Sequence, residues 1–181
     1  MVQTRRNSAG STKNMVLAAF FLALGLVLPF LTGQIQGIGN KLLPMHFPVM
    51  VCGFVCGWQW GLAVGFVVPL LRSALWGMPV MMPMAVAMAF ELAAYGAATG
   101  LLYRMFPKKN TSVYISLIGA MIVGRLVWGL VCVPLYGVAG KAFSVPMFVG
   151  GAFLNAIPGI VLQILLVPPV VLSLMRANVM E

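Results

Sequence analysis

Three ionisable side chains, Arg72, Glu91 and Arg125, stand inside stretches otherwise apolar enough to span a bilayer. A charge at that depth costs at least ~2.5 kcal/mol on insertion scales, so it ordinarily faces a partner, a polar pathway or a pocket. Glu91 can neutralise only one of the two guanidiniums. The other is free to meet a ligand, and a free guanidinium suits a carboxylate, which it holds through two hydrogen bonds. The chemistry indicated is the binding of a small anionic solute. The sequence does not decide which arginine pairs with Glu91 and which meets the solute. The competing reading is a structural ion pair with Arg72 snorkelling toward the headgroups.

Further polar and aromatic residues fall at comparable depth. Asn155 lies about eight residues into the last apolar segment, and Trp128 stands one helical turn from Arg125. Trp76, Tyr95, Trp128 and Tyr136 are candidate walls of a vitamin-sized cavity, and Gln34, Gln36, Asn40 and Asn155 are candidate polar contacts. Each aromatic alone reads equally as an interfacial anchor. His46, in LPMHFP, faces either the same cavity or the headgroup boundary.

The elements that must position these residues are membrane helices. The chain has 181 residues, of which 62% are hydrophobic and 7% charged, and a water-soluble domain of this size could not hide so much apolar surface. The net charge of +9 is not a nucleic-acid signature, because no basic run is interleaved with exposed aromatics. Cys52, Cys56 and Cys132 all lie in apolar segments and read as small buried hydrophobes. No GxxxxGK[ST] phosphate loop occurs. His46 is the single histidine, with no metal-ligand spacing around it, and two acidic residues cannot supply a carboxylate pair for acid–base work. The expectation is a non-catalytic protein without metal or cofactor.

The expected fold is an all-α membrane protein, a compact bundle of six transmembrane helices with both termini cytoplasmic. Residues 1–13 read as a flexible basic tail, and 14–176 as the helical domain. The first span covers about 14–31 and ends near Pro29 and Gly33; it lacks a convincing cleavage site and reads as a retained helix. The Gly-, Gln- and Asn-rich residues 32–41 form a loop. Apolar sequence from 42 to 76 would extend roughly 50 Å as one helix, too long for a single span. The break is placed at Gly57-Trp58-Gln59-Trp60-Gly61. A fourth helix at about 84–103, a fifth at 113–135 and a sixth at 147–174, interrupted by Pro158 and Pro168-Pro169, complete the set. Six spans put Arg5, Arg6, Lys13, Arg104, Lys108, Lys109 and Arg176 on one side and only Lys41 and Lys141 on the other. That asymmetry follows the positive-inside rule.

Small residues give a second pattern. Ala19 and Ala23 share one face of the first helix, and Gly53, Gly57, Gly61 and Gly65 recur every four residues. Such faces let helices approach closely and are compatible with docking on another membrane subunit.

Six compact helices, the AxxxA face Ala19/Ala23 and the run LPMHFPVMVCGFVCG…GFVVPLLRSALWGMP…MAFELAAYG together resemble the substrate-binding S component of an energy-coupling factor (ECF) vitamin transporter. The resemblance covers nearly the whole chain. It implies high-affinity capture of a vitamin or related nutrient outside a bacterial plasma membrane, then docking on a transmembrane T subunit powered by two ATPase subunits. Carried over, Ala19 and Ala23 would face the T subunit, and Arg72, Trp76, Glu91, Tyr95, Arg125, Trp128, Asn155, Gln36, Asn40 and His46 would hold substrate. The excess intramembrane positive charge favours an anion over a cation such as thiamine, and pantothenate is the favoured substrate. Folate, niacin, a hydroxymethylpyrimidine precursor and riboflavin are the alternatives within the family. Outside it stand a self-contained channel or secondary transporter, which would show inverted repeats, and a purely structural membrane-assembly subunit.

Overall fold

The computed structural model describes residues 2–33, 39–107, 109–138, 140, 142–152 and 154–177, without the side chains of 2–11, 39 and 40. No strand occurs among the described residues. Helix α1 (Val2–Gly33) is followed by a 3-10 turn (Gly39–Leu42), α2 (His46–Cys56) and α3 (Trp58–Trp76). A π-helical turn (Met81–Ala85) leads into α4 (Val86–Met105), and then come α5 (Asn110–Val138), α6 (Val145–Ala152), a second 3-10 turn (Leu154–Ala156) and α7 (Ile157–Arg176). With α6 and α7 counted as one broken rod, the six helices read from the sequence are present. Among the described residues, four stretches are long and apolar enough to cross a membrane: Thr12–Gly33, Met81–Met105, Asn110–Val138 and Val145–Arg176.

Three boundaries carry physical information. Helix α1 extends back through the stretch assigned to a tail, because no proline stops a helix there and propagation is cheap once a nucleus exists. The α2–α3 break falls at Gly57, whose φ of 92° is left-handed backbone that favours glycine. In the last rod the interruption comes just before Pro158, which sits at the start of α7, while Pro168 and Pro169 stay inside a continuous helix.

The helices α2, α3 and α4 form the tightest part of the bundle. A Cβ on Gly61 would lie 2.5 Å from the Gly96 carbonyl oxygen and 2.7 Å from the Gly53 Cα, and one on Gly65 would strike the Leu92 carbonyl. On the α4 side, a Cβ on Gly96 would meet the Gly61 backbone, and one on Gly100 would lie 2.5 Å from the Trp58 nitrogen. The glycines at 53, 61 and 65 are therefore consumed inside the chain, where they bring backbones together, and Gly57 makes the turn. Docking on a partner through these glycines, which their spacing also allowed, is excluded for 53, 61 and 65 by this packing.

Cross-contacts define two ends. Gly100 against Trp58 and the Tyr103 hydroxyl 3.2 Å from the Met175 Sδ gather the α2–α3 turn, the end of α4 and the end of α7. At the opposite end, Gly159 packs on the Lys41 carbonyl and Leu43, and the rings of Phe30 and Trp76 meet edge to face at 5.1 Å. Outward positions are apolar, as on α1 (Val16, Phe20, Val27) and α5 (Ile118, Ile122, Leu126, Leu130). Lipid, not water, suits such a surface.

Candidate functional site

Helix α4 turns Glu91 and Tyr95 inward one turn apart, and both are buried, Glu91 at 2% exposure. From α5, Arg125 points at the same place, and its Nη1 donates to Glu91 Oε1 at 2.7 Å. His46, the first residue of α2, brings Nε2 to 3.4 Å from the same oxygen, longer than an ordinary hydrogen bond. The Tyr95 ring meets His46 edge to face, with centroids 5.1 Å apart. Its other side lies on Gly124, where any Cβ would overlap the ring. Glycine at 124 thus seats Tyr95 against α5 one residue before Arg125.

The Arg125 guanidinium is only partly used. Nε and Nη2 are buried with no hydrogen-bond partner, and so are both ring nitrogens of His46. Unmet buried donors are costly, at roughly 1–3 kcal/mol each, more for charged groups. Nε–H and Nη2–H form one edge of the planar fork, the geometry that grips a carboxylate through two parallel bonds. Glu91 occupies the opposite side, so it orients the guanidinium without blocking that edge.

The other sequence candidates lie elsewhere. The Arg72 Nη1 donates to the Leu26 carbonyl at 2.8 Å, and its guanidinium lies over Phe30 (4.6 Å) and Trp76 (5.8 Å). Arg72 and Trp76 thus join α1 to α3 at the end opposite the α2–α3 turn, away from Glu91. Arg72→Ala is expected to lower stability by about 1–2 kcal/mol without changing ligand affinity; thermal unfolding in detergent and a binding isotherm check both halves.

Trp128 stacks near Phe148 (6.2 Å) and meets Phe143 edge to face (5.7 Å), and a Cβ on Gly151 would lie 2.7 Å from its ring. Together with Tyr136, whose ring is 5.4 Å from Phe143, it forms the α5–α6 junction. Asn155 is exposed on the turn before α7. Gln34, Gln36 and the Asn40 side chain lie outside the described residues. An apolar cavity of about 280 Å³ lies beside this junction, lined by Leu126, Leu130, Val133, Phe143 and Phe148 among others. A second, of about 510 Å³, opens between the α2–α3 turn, Asn14 and Arg104. Neither is lined by Glu91, Arg125 or His46.

Sequence reasoning passed over Gln163, which is 2% exposed on α7 with a buried, unpartnered Nε2. The available signal was a lone amide in the apolar run IPGIVLQILLV. Among the described residues no cluster of three or more His, Cys, Asp or Glu could hold a metal.

No curated protein and no solved structure matches the chain. The family model for the ECF transporter substrate-specific component matches residues 13–171, a range that reaches from α1 into α7 and includes Glu91 and Arg125. On that match the chain belongs to the substrate-specific component family of ECF transporters, membrane subunits that bind a solute for transport.

Proposed function

We propose that this chain captures a small carboxylate-bearing nutrient from outside a bacterial plasma membrane and delivers it through an ATP-driven ECF complex. The observation that carries the substrate class is the free edge of Arg125, with Nε and Nη2 buried and unpartnered beside a guanidinium already fixed by Glu91. Arg72 is engaged with α1, so this donor pair, rather than surplus positive charge, carries the preference for an anion. Tyr95 and His46 supply an aromatic and polar wall. Pantothenate, with one carboxylate and a polar uncharged body, is the favoured substrate.

The partners are a transmembrane T subunit and two ATPase subunits, with both termini of this chain cytoplasmic. Ala19 and Ala23 are exposed on α1 between Val16, Phe20 and Val27, a smooth face suited to a helix of the T subunit. The purified chain is expected to bind the nutrient alone but to transport it only with its partners and ATP. Ala19→Trp with Ala23→Trp should leave binding by the isolated chain unchanged and lower uptake by the reconstituted complex at least tenfold. Transport by the chain alone in liposomes would overturn the proposal.

A further inference from the structure

Helix α7 supplies a fourth wall to the site, and the helix register locates it. The helices α2, α4 and α7 all run toward the end where the α2–α3 turn lies. Phe54 and Tyr103 have ring centroids 5.4 Å apart, and eight residues earlier on each helix His46 and Tyr95 are again in ring contact. Equal steps along parallel helices therefore preserve height in this bundle. The Tyr103 hydroxyl meets the Met175 Sδ, and twelve residues earlier on each helix stand Glu91 and Gln163.

Facing follows from burial. On α7 the buried residues Gly159, Gln163, Val167 and Val171 recur every four positions, so they line one inward stripe. The neighbours across that stripe are α2 and α5, which carry His46 and Arg125. Gly159 packs on Leu43, whose carbonyl accepts the His46 backbone N–H at 3.0 Å, so α7 and the start of α2 are joined one turn above Gln163.

Among the described residues, the remaining buried side-chain polar atoms without a partner are the hydroxyls of Ser73 and Ser116. Gly65 packs on Leu92, beside Glu91, and Ser73 lies eight residues beyond it on α3, roughly 12 Å away along the axis. Ser116 is nine residues from Arg125 on α5, roughly 13 Å away. Gln163 alone shares the height of the ion pair.

We infer that Gln163 is a specificity-determining residue of the carboxylate site: its amide N–H binds a second, uncharged acceptor on the ligand while the free edge of Arg125 holds the carboxylate. This rests on the carboxylate reading above and narrows it. The ligand class becomes a monocarboxylate with a hydroxyl, carbonyl or ring-nitrogen acceptor on its far side. A buried amide built for such an acceptor discriminates strongly, because an analogue lacking the acceptor leaves the donor unmet.

The test is calorimetric binding to the full-length chain in detergent, using two matched pairs of acids. Pantothenate is compared with its analogue lacking both hydroxyls, and nicotinate with benzoate. Wild type should bind one acceptor-bearing acid at least tenfold more tightly than its match, and Gln163→Leu should bring that ratio to within about threefold. Gln163→Glu, which turns a donor into an anion, should abolish binding of both members. A Gln163→Leu variant that lowers both members of a pair equally, or neither, overturns the inference and leaves the carboxylate reading standing. If Gln163→Leu does not fold, Gln163→Met carries the same expectation. Wild type that binds none of the four acids overturns the carboxylate reading and this inference with it.

Discussion

Arg125→Lys is expected to keep the fold and lose the ligand. A lysine ammonium retains the positive charge opposite Glu91, which otherwise stands buried at 2% exposure. It has no planar fork, however, so the donor edge formed by Nε and Nη2 disappears. We expect a loss of roughly 100-fold in affinity, or ~2.8 kcal/mol, with a near-normal melting temperature. Arg125→Met separates the two roles. Removing the cation strands a buried carboxylate and should destabilise the protein by about 3–5 kcal/mol. Adding Glu91→Gln to Arg125→Met should recover much of that stability without restoring binding. Isothermal titration and thermal unfolding in the same detergent read both effects.

The second large effect is expected at Gly96. Its Cβ position is filled by the Gly61 backbone, so Gly96→Leu forces α3 away from α4 and disturbs Glu91 and Tyr95 on the same helix. Overpacking at a seam of this kind is expected to cost about 3 kcal/mol or more, and the purified variant should be polydisperse by size-exclusion chromatography. Gly150→Leu is the control, since nothing lies within 4 Å of its Cβ position. It should remain monodisperse.

The helical membrane architecture and a buried pairing of Glu91 with an arginine were legible in the sequence, but not which arginine pairs. Lipid penalises buried charge heavily, so Arg72, Glu91 and Arg125 in apolar runs each call for a partner, and spacing does not say which arginine takes Glu91. Arg72 obeys the same rule through a backbone carbonyl on α1 and two rings, a solution that leaves no trace in residue spacing. The fourfold glycine spacing was equally visible. Its direction was not, because a small-residue face looks alike whether it meets a partner or the chain's own α4. Trp128 packs on Gly151 of α6, and Asn155 is exposed on the turn before α7. Depth follows from counting residues, whereas azimuth depends on how the α6–α7 rod breaks before Pro158. Gln163 shows the converse. A neutral amide costs far less than a charge in an apolar helix, so only its unpartnered burial on the inward stripe of α7 draws it into the site.

The cluster of His46, Glu91, Tyr95 and Arg125 is proposed to hold a carboxylate-bearing nutrient. Native mass spectrometry of the chain purified gently from its membrane, followed by identification of any released ligand, tests this most directly. Wild type should carry a stoichiometric small acid that is missing from Arg125→Lys. A neutral or cationic ligand retained equally by both proteins would contradict it.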